Sequence, residues 1–299
     1  MGLWLAGCMA DPQPLPTRGG DAGRFVREGG RNRFTARGAT VVRVERVAPP
    51  MIRVTVTGPE FADFTSTGPA DHVRVYFPDA ATGELVAPEP VGPGEDGIVR
   101  PDRAAIARDF TPLPRRVGDG IEVDLDFFTH PDPGPASAWA ERANVGDRIV
   151  VVGPRGSRRA PQDIDGLLLL CDETSLPSAS RWIRDVPRGT TVDVIASVHG
   201  DGGWVAGYLG DVDGVDVRLR TVDTDAAPDV LVTALRDHGP VGQGTFVWAA
   251  GEASGLVEVR RHLRRTLGLP SNQAVVSGYW RKGVVAFDHH APIDPFDPD

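Results

Sequence analysis

Cysteine is almost missing from this chain: Cys8 and Cys171 are the only two among 299 residues. No Cys-x-x-Cys pair occurs, which argues against a disulfide framework, a Cys-ligated zinc and an iron–sulfur cluster. Positive charge is also scarce. Lys and Arg total 32 against 41 Asp and Glu, for a formal net charge of -9, so nucleic acid is not the expected partner. A local basic pocket can still sit inside an acidic protein, and a small anionic substrate stays open. No apolar run is long enough to span a membrane. No internal repeat or low-complexity tract stands out. What is abundant is Gly, with 36, and Pro, with 27, which marks many turns. A hydrophobic content of 40% supplies a sizeable core and argues against global disorder. The length suits two domains of ordinary size.

At the N-terminus, Leu5-Ala-Gly-Cys8 looks like the cleavage box of a bacterial lipoprotein. Only Gly2 to Gly7 precede the cysteine, with no Lys or Arg, which is far shorter than a signal peptide. The expectation is an upstream start, with Met9 as another candidate, and a flexible Pro/Gly/Asp/Arg-rich leader over residues 1–32. A cytoplasmic protein, working as a monomer, is expected.

From Arg33 onward the pattern is one of short alternating runs. Thr40–Val47, Ile52–Thr57, His72–Phe77 and Ile121–Phe127 each alternate apolar and polar residues. Period two between Gly/Pro turns predicts antiparallel strands, and this many short ones predicts a barrel over residues 33–155. Pro135–Ala143 reads as one interrupting helix with Pro135 in its first turn, and Arg148–Gly153 returns to strand. Residues 156–165 read as a linker. The rhythm then changes. Leu167–Cys171 is a continuous apolar run, suited to a strand buried on both faces. Helix and strand alternate after it, with strands at Thr191–Ala196, Val215–Leu219 and Thr245–Ala250. Helical patterns run through Trp182 and Ile183, over Val230–Leu235, and along Leu256, Val259, Leu263 and Leu267, ended by Gly268. This predicts an α/β nucleotide-binding domain with a mostly parallel sheet over residues 166–287. Residues 288–299 read as a loose tail.

Several segments carry chemistry. In Arg108-Asp-Phe-Thr111 an Arg can pair with a phosphate in a bidentate way and a Thr hydroxyl can bond a ring nitrogen; the bland alternative is a strand-end charge beside a core Phe. Phe127-Phe-Thr-His130 leads to Gly134-Pro-Ala-Ser-Ala-Trp139, where a Gly before a helix start lets a ligand approach the backbone. Trp248-Ala-Ala-Gly-Glu252 ends a buried strand at a Gly, where open α/β sheets bind nucleotides. Ser277-Gly-Tyr-Trp-Arg-Lys-Gly283 ends another strand in two aromatics and two cations, which suit a planar cofactor and an anionic substrate. Other features read as bland. His289-His290 sits in a Pro-rich tail and no metal site is expected. Arg260, Arg261, Arg264 and Arg265 read as a solvated basic helix end. Cys171 reads as a buried thiol.

Taken in order, these segments resemble the siderophore-interacting protein family, the flavin-dependent ferric-siderophore reductases of the ferredoxin-reductase superfamily. The likeness runs from about Phe34 to Gly283 and is most specific at Gly-Pro-Ala-Ser-x-Trp and Gly-Tyr-Trp-Arg-Lys-Gly. It implies an FAD-binding barrel followed by an NAD(P)H-binding α/β domain. Arg108, Phe110 and Thr111 match the family's Arg-x-Tyr-Thr flavin motif. His130, Gly134, Ala136 and Ser137 match its second FAD segment, around the pyrophosphate. Asp172, Glu173 and Thr174 match the first turn of the nicotinamide domain, and Gly251 and Glu252 its later cofactor turn. Tyr279 and Trp280 fall near where flavin meets nicotinamide: Trp280 is assigned to the flavin and Tyr279 to NAD(P)H. Arg74 and Lys282 are the candidates for holding an anionic siderophore.

Two departures stand out. Phe110 replaces the usual Tyr and removes a phenol hydroxyl. Ser197 stands where many relatives carry a Glu near the cofactor ribose. That removes a charge that would repel a 2′-phosphate and favours NADPH, with NADH open. The resemblance implies FAD as cofactor, NAD(P)H as donor and a ferric siderophore as substrate, with ferredoxin as a candidate alternative donor. A general flavin reductase and a non-enzymatic siderophore-binding protein are the competing readings.

Overall fold

The structure, a computed structural model, describes residues 23–297. The lipoprotein-like box, Met9, the leader up to residue 22 and the last two tail residues lie outside the described residues. In chain order the first half contains β1 (Gly29–Arg31), β2 (Ala36–Ala48), β3 (Met51–Thr57), β4 (Val73–Phe77), β5 (Glu89–Pro90), β6 (Ile98–Val99), β7 (Ile106–Phe110), β8 (Leu113–Val117), β9 (Gly120–Phe128), α1 (Pro135–Ala140), β10 (Arg148–Val152) and β11 (Gly156–Arg158).

Seven of these strands form one antiparallel sheet in the order β7-β4-β10-β2-β3-β9-β8. Its two edge strands, β7 and β8, are consecutive in the chain and only Thr111 and Pro112 separate them. The sheet therefore rolls up into a barrel. The alternation read in the sequence puts Val41, Val54, Val56, Val75, Val123 and Leu125 in the interior. Phe77, Phe127 and Trp139 of α1 close that core with ring contacts of 5.1–6.0 Å. Strand β8 carries Pro114, which a central strand would not tolerate; on an edge the missing N–H costs no ladder bond. Helix α1 ends at Ala140, short of the expected Ala143.

The second half runs β12 (Gly166–Asp172), α2 (Leu176–Asp185), β13 (Thr191–Val198), α3 (Val205–Leu209), β14 (Asp216–Asp223), α4 (Val230–His238), β15 (Thr245–Glu252), α5 (Ala253–Arg261) and β16 (Ala274–Trp280). Its five strands are all parallel, in the order β14-β13-β12-β15-β16. The leucine run explains itself here. Leu167 and Leu169 enter one core with Trp182 and Trp248, while Leu168 and Leu170 enter the other with Leu235, Leu256 and Val259. Burying each such side chain contributes roughly 1.5–3 kcal/mol. Sheet growth reverses direction between β12 and β15. A doubly wound sheet binds ligands outside its strand C-termini at that point.

Three expectations need correction. The leader is built into the fold from Gly23 onward: Phe25 is buried in the second domain against Phe246, Arg27 lies over the Trp182 ring, and β1 pairs with β11, inside the expected linker. The tail is not loose, since Ile293 and Asp294 are buried. The reason lies in the basic helix end, which is not a merely solvated face. Arg261 donates to Asp294 at 2.7 Å, Arg265 pairs with Asp297, and Arg264 holds the carbonyls of Pro270 and Ala274. Among the described residues no helix is long and apolar enough to cross a membrane. Cys171 is a buried free thiol whose pKa burial pushes up.

Candidate functional site

Asp172, the last residue of β12, is the hub of the switch point. It is 8% exposed. Its Oδ1 accepts from the Thr174 amide at 3.0 Å and hydroxyl at 2.6 Å, and from the Ser175 amide at 3.2 Å. Its Oδ2 accepts from the Glu252 amide at 2.9 Å and from Trp280 Nε1 at 2.8 Å. One carboxylate thus ties together the end of β12, the turn into α2, the end of β15 and the end of β16. Burial raises its pKa, helped by the Glu173 charge and opposed by these donors. Gly251 has φ 146, and a Cβ there would stand 2.5 Å from Asp172 Oδ2, so only glycine admits the contact. Glu252 caps α5 by accepting from the Gly255 amide and also accepts from the Lys282 amide. A register shift beside Glu252 pairs it with Trp280. The Trp280 indole remains 37% exposed, an aromatic face anchored by its N–H at the cleft.

The barrel presents its flavin-like motif to the same place. Arg108 donates to the Ala107 carbonyl at 2.7 Å and forms no ion pair with a carboxylate among the described residues, which leaves its charge for a ligand. Phe110 leans on Phe127 at 4.4 Å and on Phe77 at 6.0 Å, half in the barrel core. The Thr111 hydroxyl lies 2.8 Å from that of Ser178 in α2, which lies 2.9 Å from the Tyr279 hydroxyl. Tyr279 is therefore turned toward the barrel corner, while Trp280 faces the cleft. Arg181 reinforces the join, donating to the carbonyls of Pro112 and Ser66. At the start of α1, a Cβ on Gly134 would meet open space. Ala136 is buried, and Ser137 donates to the Phe128 carbonyl at 3.0 Å. His130 sits beside the Phe128 ring at 5.9 Å.

Glu173 points away from the hub. Its Oε1 accepts from the His199 amide at 2.6 Å and contacts His199 Nδ1 at 2.7 Å. Burial pulls the His199 pKa down, but the Glu173 hydrogen bond and charge outweigh it and raise it. Phe128 of the barrel stacks on His199 at 5.8 Å. His199 was not singled out in the sequence; an isolated His after a strand carries no signal until the fold brings Glu173 to it. Ser197 is buried and its hydroxyl meets Thr224 at 2.9 Å, with Asp223 and the exposed Asp225 just beyond.

The two substrate candidates differ. Arg74 is held by Asp109 in a two-pronged pair at 2.8 and 2.7 Å, and His289 Nδ1 lies 3.2 Å from the same carboxylate. Burial opposes it, but these partners hold Asp109 well below the usual carboxylate range. Arg74 is thus largely neutralised. Lys282 is exposed, is the only lysine of the sequence, and its side chain forms no ion pair among the described residues. His72, His289 and His290 cluster beside Arg74, with ring centroids 4.1–6.4 Å apart.

An antiparallel barrel with an Arg free of carboxylate partners among the described residues and an inward Thr at its seam is docked on the switch point of a parallel sheet, the place where such sheets bind nucleotides. The profile described as "Siderophore-interacting FAD-binding domain" matches residues 40–158, and the one described as "Siderophore-interacting protein" matches residues 164–283. An NADPH-dependent ferric-chelate reductase of Escherichia coli is 30% identical over 254 residues, covering 84% of this chain and 94% of its own. The ferric vibriobactin reductase ViuB of Vibrio cholerae is 25% identical over 251 residues, covering 81% and 88%. A siderophore utilization protein from T. fusca aligns with a TM-score of 0.76 at 34% identity, over 89% of this chain and 100% of its own. The chain belongs to the siderophore-interacting protein family.

Proposed function

We propose that this protein is an FAD-containing, NAD(P)H-dependent reductase of ferric siderophores. The observation that carries the reading is the direct contact between the flavin motif and the nucleotide-binding end of the parallel sheet, Thr111 to Ser178 to Tyr279. FAD and nicotinamide sites then share one cleft. The residues present fit FAD: Arg108 offers an uncommitted guanidinium to phosphate, Thr111 an inward hydroxyl to the ring, and Gly134 an open backbone approach. FAD held there would supply the exchange between a two-electron hydride donor and a one-electron ferric acceptor. No side chain acts as nucleophile or general acid.

The chain's own task is positioning. Asp172 fixes the floor at the switch point, Gly251 and Glu252 its far wall, and Trp280 an aromatic face toward solvent. Lys282 supplies the cation that draws an anionic siderophore to a protein whose net charge would repel it. Iron is released because hard oxygen donors hold Fe(II) less tightly than Fe(III). NADPH is the donor named for the Escherichia coli relative, and Ser197 adds no acid of its own. The setting is cytoplasmic. A monomeric state belongs to the same proposal.

The test is a visible spectrum of the purified protein, followed by anaerobic addition of NADPH, NADH or reduced ferredoxin and a ferric siderophore with an Fe(II) trap. Bound flavin, its bleaching by a nicotinamide and trapped Fe(II) are expected. A colourless protein that binds siderophore would overturn the reading. Bleaching without iron reduction would leave a general flavin reductase.

A further inference from the structure

The hydroxyls of Thr111, Ser178 and Tyr279 form a row across the domain boundary, with oxygens 2.8 and 2.9 Å apart. Thr111 and Ser178 are buried, Ser178 completely. Each hydroxyl has one proton to give, so the row has a direction. The end that starts it is set by Tyr279. Burial drives its pKa up to about 12, with the Asp172 charge adding to the rise and the Ser178 hydrogen bond opposing it, so it keeps its proton at neutral pH. A phenol is also a stronger donor and weaker acceptor than an alcohol. Tyr279 therefore donates to Ser178, and Ser178 donates to Thr111. Running the other way would make the phenol, the weaker acceptor, take the last proton of the row. The forward direction leaves the Thr111 proton pointing out of the row, at the barrel seam.

We infer that Ser178 and Tyr279 are positioning residues that orient the Thr111 hydroxyl as a hydrogen-bond donor toward the flavin. This rests on the flavin reading above. Both belong to the nicotinamide domain, so that domain helps build the flavin site. A ring nitrogen of oxidised flavin accepts a hydrogen bond; once reduced and protonated, it needs an acceptor instead. A row locked as donor stabilises the oxidised form, and polarisation along it strengthens the last bond. Docking of the two domains thereby sets part of the flavin's redox balance, through residues that need not touch it.

The experiment is a spectroelectrochemical or dye-equilibration titration of the flavin-loaded full chain. Tyr279→Phe frees Ser178 and Thr111 to turn, so the flavin midpoint potential should shift to more positive values with a change in the visible bands. Ser178→Ala, read in the same way, should shift it in the same direction, and it decides the matter if Tyr279→Phe fails to fold. Tyr208→Phe is the control. It breaks a different contact between the domains, the Tyr208 hydroxyl on Asp126 at 2.5 Å, and should leave the potential unchanged. An unaltered potential in a folded, flavin-loaded Tyr279→Phe or Ser178→Ala protein would overturn the inference. So would an equal shift in Tyr208→Phe, which would make docking alone the cause. If the wild-type protein holds no flavin, it is the function proposed above that fails.

Discussion

Replacing Asp172 by Ala removes the acceptor for the Thr174, Ser175 and Glu252 amides, the Thr174 hydroxyl and Trp280 Nε1. A hydrogen bond to a charged group is worth about 1.5–3 kcal/mol, and a buried donor left without a partner costs about 1–3 kcal/mol. Two effects reduce the total. Water can fill part of the space the carboxylate leaves, and the cost of burying its charge disappears. A net loss of roughly 3 kcal/mol is expected, close to 12 °C in Tm at about 4 °C per kcal/mol for a unit of this size. The assay is thermal unfolding of the flavin-free protein followed by circular dichroism, with tryptophan fluorescence as a second probe. The freed Trp280 indole should also shift its emission in the folded protein. Asp172→Asn should be no milder, because its amide group would turn an N–H toward one of two sets of donors. A Tm change under about 3 °C with unchanged emission would refute the claim that Asp172 holds this corner together.

Arg108→Ala should weaken FAD binding by about 1.5–3 kcal/mol, roughly 10- to 150-fold in Kd, read by ultrafiltration; full retention would remove Arg108 from the site. Lys282→Ala should raise KM for an anionic ferric siderophore, leave flavin reduction by the nicotinamide nearly unchanged, and flatten the rise of KM with salt, since exposed charges are screened within about 10 Å at 0.1 M. Arg74→Ala should do less, because Asp109 already holds that guanidinium; equal KM values for Lys282→Ala and wild type would sink the assignment. Ser197→Glu should harm NADPH more than NADH. Since the Ser197 hydroxyl faces Thr224, Asp225→Asn is the cleaner probe and should lower KM for NADPH alone; identical effects on both donors would place the 2′-phosphate elsewhere. Burial and the neighbouring His289 charge lower the His72 pKa from 6.5 to about 4. The unfolded chain therefore takes up a proton that the folded one refuses, and stability falls as pH drops from 6.5 toward 4. One side of His72 is exposed and Asp109 and Arg74 stand beside it, so screening leaves roughly 1 kcal/mol; an identical pH slope of Tm in His72→Gln would disprove this.

The sequence alone determined the two-domain plan. Period-two runs are dictated by a sheet with one buried face, and Leu167–Cys171 by a strand buried on both, so each half announced its architecture locally. Through the family resemblance it also pointed to Arg108-Asp-Phe-Thr111, Gly251 and the Tyr279–Trp280 pair, which the fold brings to the barrel seam and the switch point. Tertiary structure decided everything that depends on which charges and hydroxyls meet. Arg74 and Lys282 look alike in the chain, yet among the described residues only the Arg74 side chain finds a carboxylate. The arginines after Val259 look solvated until the tail brings Asp294 and Asp297 to them. Phe25 reads as leader until Phe246 and the core of the second domain bury it. Asp172 looks like a cofactor ligand in the chain, and donors from three other segments of its own domain occupy its carboxylate. The Thr111–Ser178–Tyr279 row spans residues 111 to 279. Hydrogen bonds and ion pairs act over about 3 Å in space, and no pattern along the chain encodes such long-range neighbours.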